Sequence, residues 1–391
     1  MRKKGISGLP AGAMADFAAG KGICQQAQLG VSPPRLELPE FQTSDDLMTR
    51  RNAVLRLILA SLLAFTLSAQ AQWEEKSING RGYVSTSSMK QYYGFNSLTQ
   101  SGKSVVLKKQ SAKDPKRGII VNLRVGSQEC LMNGVKFIFT YPALSNAGKT
   151  WISKMDLVKL VHPVLMPGDI RKAANFRTVI IDAGHGGKDP GATNSLGTEA
   201  SYNLKVAKYL KEILESRPFG YRVVMTREDN RYLTLQQRVD IANRSKENAI
   251  FISIHHNSGQ SRARGIETFT LSPVGVAHYG ARLKASDLKS RTGNFHDSAN
   301  VALATAVHGM LLTTLKDEKT KKAYTLDRGI KRARFSVLTG VRHPSILVEC
   351  GFMTHSYEAR LINDTGYQKT VAKSIAHAIQ RYRSAVGKNK G

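Results

Sequence analysis

Apolar and polar positions along this chain follow two successive regimes. Between residues 73 and 168, short β-branched and aromatic runs at 82–85, 104–107 and 118–123 alternate with turn residues. Asn133-Gly134, set between apolar runs at 129–132 and 135–139, predicts a tight hairpin, because both turn positions favour positive φ. A strand at 151–153 should lead into a short helix at 155–160. Pro163, Pro167 and Gly168 then mark a linker. From residue 176 the runs lengthen. Thr178-Val179-Ile180-Ile181 leads into Asp182, residues 249–254 into His255, and residues 344–348 into Glu349. Unbroken apolar runs read as strands buried on both faces. Between them, Leu204, Ala207, Leu210 and Leu214 recur at helical spacing. Residues 221–227 and 265–271 read as further strands. Thr234-Leu235-Gln236-Gln237 opens a capping-box helix that should bury Leu235, Val239 and Ala242. A long helix covers 301–315. The alternation predicts an α/β domain over 176–385, a twisted mixed sheet flanked by helices, preceded by a small β-rich α+β domain at 72–168.

Ligands of open α/β sheets bind beyond the carboxyl ends of strands. His185 lies just past such an end, after the small residues Ala183 and Gly184, and His255 and Glu349 end two other runs. Glu199 falls in the first turn of a helix, where the dipole alone favours a carboxylate. A functional reading has it point back at His185 across the short loop. Two His and one Glu form a nitrogen and oxygen donor set with an open fourth position, as in catalytic zinc sites. His256 is a rival ligand, but strand alternation sends it away from His255. His343 and His355 flank the Glu349 strand and are the next nearest acid/base candidates.

Residues 182–192, Glu199, Ser253-Ile254-His255 and Val348-Glu349-Cys350-Gly351-Phe352 together resemble the zinc-dependent N-acetylmuramoyl-L-alanine amidases of bacterial cell walls. The resemblance covers about 176–385. It implies Zn2+ on His185, Glu199 and His255, catalysis by Glu349, and peptidoglycan as substrate, cut between N-acetylmuramic acid and L-alanine. Two positions depart from the family pattern: His256, where Ala is common, and Ala200, where Lys is frequent. Two other readings stay open, a non-catalytic wall-binding protein on this scaffold and a zinc peptidase for another amide. The chain lacks the His-Glu-x-x-His helix of the common peptidase type. Residues 73–168 resemble the small α+β modules at the N-terminus of copper amine oxidases and of some wall enzymes. That module is expected either to contact wall or partner or to serve as a spacer.

The N-terminal pattern bears on location. Residues 1–47 have no sustained period and read as a leader preceding the true start at Met48. Thr49-Arg50-Arg51, an apolar core at 55–67 and Ala69-Gln70-Ala71 form a secretory signal peptide over 48–71, too short to span a membrane stably. Residues 1–71 carry eight Lys/Arg and five Asp/Glu, so their removal lowers the formal charge from +29 to +26. Such a charge implies anionic partners: wall polymers, envelope lipid headgroups or the carboxylates of peptidoglycan stems. Export argues against nucleic acid and for periplasm or cell wall. The expected state is a monomer. Cys130 and Cys350 are too few for a disulfide framework, and Cys350 should face away from Glu349 as an inert thiol. Residues 272–297, rich in Gly, Ser, Lys and Arg with Tyr279 and Phe295, form either a basic loop over the substrate groove or a solvated surface loop. No second helix is available to plug the site, and Glu318 is the remaining carboxylate that could do so.

Overall fold

The computed structural model describes residues 73–110, 118–316 and 324–387. The segments expected at 1–47 and 48–71, and Glu318, lie outside the described residues.

Among the described residues, nine strands precede the linker. β1 (Glu75–Ile78), β2 (Arg81–Ser85), β8 (Leu144–Asn146) and β9 (Lys149–Ser153) form one small sheet in the order β1-β2-β9-β8. β3 (Ser97–Ser101), β4 (Ser104–Lys109), β5 (Ile119–Arg124), β6 (Glu129–Met132) and β7 (Val135–Ile138) form an antiparallel meander. Asn133 and Gly134 take φ of 51° and 80°, the two positive values that a type I′ turn requires. The helix after β9 runs further than expected, through Lys154–Asp156, a π turn at Leu157–Val161 and His162–Leu165. Pro163 therefore sits inside the helix, and only Pro167 and Gly168 mark its exit. Proline leaves the carbonyl four residues back without its helical donor. Arg332 supplies one instead, at 2.5 Å from the Lys159 carbonyl.

The second part contributes β10 (Thr178–Ala183), β11 (Thr193–Asn194), β12 (Gly197–Thr198), β13 (Arg222–Met225), β14 (Ala249–Asn257), β15 (Ile266–Leu271), β16 (Asp327–Ala333) and β17 (Ser345–Phe352). β11 and β12 pair as a two-stranded ribbon. β13, β10, β14 and β17 lie parallel, while β15 runs antiparallel to β17 and parallel to β16. The mixed α/β sheet is thus as expected. It continues past β16 into β7 through the pair Ile330 and Phe137, giving eleven strands in one sheet. The Lys136 amide donates to Asp327 Oδ2 at the same junction, 2.8 Å away.

Helices Glu199–Glu215, Asp297–Thr314 and Thr365–Val386 cover one face, burying Val206, Leu210, Leu303, Val307, Ile375 and Ile379 against it. Helix Leu235–Asn243 and a short turn at Ser336–Gly340 cover the other, over Ile180, Phe251 and Leu347. The Thr234–Gln237 capping box forms in both directions. Leu235 departs from expectation: it is 55% exposed, while Val239 and Ala242 are buried. Position N1 faces outward here because the inward face begins a full turn later. Among the described residues no helix is long and apolar enough to cross a membrane.

β16 escaped the sequence reading, since Asp327-Arg328-Gly329-Ile330-Lys331-Arg332-Ala333 shows no apolar alternation. Its charged side chains find partners far away in the chain, Asp327 at His308, and Arg328 and Lys331 both at Glu267. The loop at 272–297 leaves β15 at the end away from His255. It contains two short 3-10 turns, Ala285–Leu288 and Thr292–His296. Arg334 ties it down, donating to the carbonyls of Ser272, Pro273 and Val276 and pairing with Asp287 at 2.7 Å. Tyr279 of this loop packs against β16, its ring centroid 4.6 Å from Lys331 Nζ.

Candidate active site

β10 ends in Ala183-Gly184-His185, and the backbone turns sharply there. His185 adopts φ 60°, a strained value for a residue with a side chain. Two buried arginines hold the turn. Arg227 donates to the carbonyls of Ala183 and Gly184, each at 2.8 Å, and also to that of Ala200. Arg238 donates to the carbonyls of Ala183 and His185, each at 2.7 Å, and to Asp182 Oδ1 at 2.8 Å. Asp182 also accepts from Thr226 and Ser253. Burial opposes its charge, but Arg238 and the two hydroxyls hold its carboxyl below the usual range.

Three donors converge beyond this turn. Glu199 Oε1 lies 3.2 Å from His185 Nε2 and 2.9 Å from His255 Nδ1. All three ligand atoms fall within 4.8 Å of one another. Ligands of a tetrahedral zinc at ~2.0–2.1 Å stand about 3.3 Å apart, so the spacing fits. The surroundings fit too. His185 Nδ1 is 2.9 Å from Asp189 Oδ2, which fixes the ring and leaves Nε2 facing the cluster. Glu199 Oε2 accepts from the Ala192 amide at 3.0 Å, leaving Oε1 directed inward. Burial penalises the Glu199 charge, yet contacts with His185 and His255 outweigh it and hold the carboxyl far below its ordinary value. His185 is raised by Glu199 and Asp189 against the opposing effect of burial. Such mutual charge sharing is what a divalent cation would replace. Among the described residues no further carboxylate, His or Cys joins this cluster.

Glycines make room for it. A Cβ on Gly184 would lie 2.2 Å from the His255 ring, and one on Gly191 would lie 2.6 Å from Glu199 Oε2. Gly184→Ala should therefore displace His255 and lower metal content to a small fraction of the wild-type value while the fold persists. Metal analysis with circular dichroism of the purified variant checks this; full occupancy would contradict it.

Glu349 sits in β17 directly beside His255 in the β14 register. Its Oε2 is buried with no hydrogen-bond partner among the described residues. Burial first, then the carboxylates of Glu199 and Glu267, raise its pKa well above the ordinary value. A poised carboxyl beside a donor cluster is suited to proton transfer. His256 turns away, as expected, and its Nδ1 meets Asn203 Oδ1 at 2.8 Å. Burial lowers the His256 pKa to about 4, so the ring is neutral. His343 and His355 are not brought into the cluster. His343 is buried elsewhere, and His355 caps helix Ser356–Asn363. Cys350 is buried and faces away, its thiol pKa pushed up by burial. Asp189, Asn203, Arg227, Arg238 and Glu267 were given no role from sequence. Asp189 was legible as a residue four after His185, but the others depend on tertiary proximity.

An α/β sheet presenting this donor cluster beside a buried carboxyl is the equipment of a hydrolase. Residues 179–381 match the N-acetylmuramoyl-L-alanine amidase family, and the chain belongs to that family. It is 34% identical over 206 residues to the uncharacterized protein YqiI of Bacillus subtilis strain 168, covering 53% of this chain and 84% of that protein. It is 31% identical over 210 residues to a putative N-acetylmuramoyl-L-alanine amidase of Buchnera aphidicola subsp. Baizongia pistaciae, covering 52% of this chain and 95% of that one. Among solved structures it is similar to an N-acetylmuramoyl-L-alanine amidase from Clostridium difficile 630, with 30% identity and a TM-score of 0.43, covering 56% of this chain and all of that one.

Proposed function

We propose that this chain is an exported, zinc-dependent enzyme that hydrolyses the amide between N-acetylmuramic acid and L-alanine in peptidoglycan. The observation that carries the proposal is the register pairing of Glu349 with His255, next to the donors of His185 and Glu199. Family membership supplies the substrate. His185, Glu199 and His255 would hold the metal, and Glu349 would act on protons. Bound zinc supplies Lewis acidity to the scissile carbonyl and lowers the pKa of water towards roughly 7. Glu349 accepts the proton of the attacking water and returns it to the alanine nitrogen as the amide breaks. Asp189 keeps the His185 ring oriented, and Arg227 and Arg238 keep the loop that carries it in place. Residues 72–168 we assign to contact with the wall, with the basic surface favouring its anionic groups.

The purified chain should release dye from labelled peptidoglycan without an added activator, stop when treated with chelator, and resume with zinc. Product masses should show free peptides beginning with L-alanine and glycan strands whose N-acetylmuramic acid residues have lost their peptides. Binding without release would mark a wall-binding protein, and cleavage at another amide a zinc peptidase. N-terminal sequencing of exported protein should begin near Gln72; retention of residues 1–47 outside the cytoplasm would refute the export reading.

A further inference from the structure

The row across the sheet does not stop at Glu349. His255 pairs with Glu349 across β14 and β17, and Glu349 pairs with Glu267 across β17 and β15. Register-paired side chains share a face, so these three point into one groove. Beyond them lies β16. Lys331 Nζ is 2.8 Å from Glu267 Oε1, and Arg328 Nε donates to the same oxygen. The other oxygen of Glu267 accepts from Asn257 at 3.3 Å. Glu267 is thereby saturated, and it is buried. Arg328 is not. Its guanidinium lies 4.8 Å from the Phe352 ring centroid, and its two terminal nitrogens have no hydrogen bond to protein among the described residues. Lys331 is 5% exposed, so its contribution is a buried charge more than a surface hand-hold. Arg262 lines the same hollow and has no ion pair among the described residues. Three cations thus share a hollow with one carboxylate, leaving an excess of two positive charges.

We propose that this hollow is a carboxylate subsite for the leaving peptide, with Arg328 as the specificity-determining residue. The inference rests on the amidase reading and extends it by giving the substrate a direction. The scissile carbonyl belongs at the His185, Glu199 and His255 cluster, and the leaving nitrogen beside Glu349, which returns its proton. The peptide that departs with that nitrogen continues along the row, towards Arg328. Adjacent strands lie about 4.8 Å apart, so Glu267, two strands over, stands roughly 10 Å from His255, with Arg328 beyond it. An extended peptide covers about 3.3–3.6 Å per residue. The carboxyl carbon of the first alanine falls short of the hollow, whereas a carboxylate on the second or third residue reaches it. Two free guanidinium nitrogens on a planar fork match a carboxylate in bidentate fashion. Glu267 and Phe352 hold that fork in place.

Binding and turnover test this separately. Calorimetry on the full chain carrying Glu349→Gln would use three muramoyl dipeptide probes: one with a terminal carboxylate, one with a side-chain carboxylate and an amidated terminus, and one fully amidated. At least one carboxylate probe should bind about tenfold or more tightly than the amidated probe, and which one does so identifies the source of the carboxylate. Adding Arg328→Gln should erase that preference while leaving the amidated probe unchanged, and Arg328→Lys should restore part of it. On the otherwise native chain, kcat/KM for the preferred probe should fall by a similar factor with Arg328→Gln. Equal affinity for all three probes, or equal losses on charged and amidated probes, would overturn the subsite. A preference in binding with no hydrolysis of any probe or of wall would instead overturn the amidase reading and leave the subsite standing.

Discussion

Glu349→Gln is expected to lower kcat/KM on peptidoglycan by about 10²- to 10⁴-fold while the protein keeps its metal. The change is nearly isosteric and removes only the ability to accept and return a proton. Glu349 Oε2 makes no hydrogen bond among the described residues, so no structural partner is lost. The amide also lifts the repulsion that Glu199 and Glu267 exert on a charged carboxylate at this position. Stability should consequently hold or rise. His185→Ala should behave differently, losing metal and activity together, because it deletes one of three converging donors and the ring that Asp189 orients. Metal analysis and dye release on both purified variants separate the two roles. A Glu349→Gln protein without metal would make Glu349 a ligand.

How much of this was legible in the sequence follows from what each residue depends on. His255 and Glu349 end apolar runs, and a run of that kind fixes both the strand and the end at which the next polar residue emerges. Glu199 could be placed because the N-terminal turn of an amphipathic helix is defined by local signals: Thr198 caps it, accepting from the Ser201 amide. The same locality explains the Asn133-Gly134 hairpin. β16 was illegible for the opposite reason. Its Arg328 and Lys331 both reach Glu267, 61 and 64 residues earlier in the chain, and its Asp327 meets His308 and the Lys136 amide. A strand whose charged side chains find their partners far away in the chain carries no local apolar signature. Leu235 erred in the reverse sense, since a capping box fixes where a helix starts but not which face of its first turn is covered.

The largest expected effect on stability lies under the site. Arg238→Ala should destabilise the fold by about 3–5 kcal/mol at neutral pH, because it strands Asp182, 1% exposed, without its cation. Arg227 cannot take over. It is spent on the carbonyls of Ala183, Gly184 and Ala200, and burial, with Arg238 nearby, already brings its pKa down to about 10. The pH dependence gives the test its sign. In the native chain Asp182 has a depressed pKa, so its stabilising contribution is present above the unfolded value near 4 and fades as pH falls through the folded value. Without Arg238, burial dominates and the folded pKa rises above the unfolded one. The penalty then grows with pH and vanishes once Asp182 is protonated in both states. Urea unfolding at pH 7 and at about pH 4 should therefore show a wide gap between native and variant proteins at the higher pH and a narrower one at the lower. A gap independent of pH would mean that the two carbonyl contacts of Arg238, and not its charge on Asp182, hold the His185 loop in place.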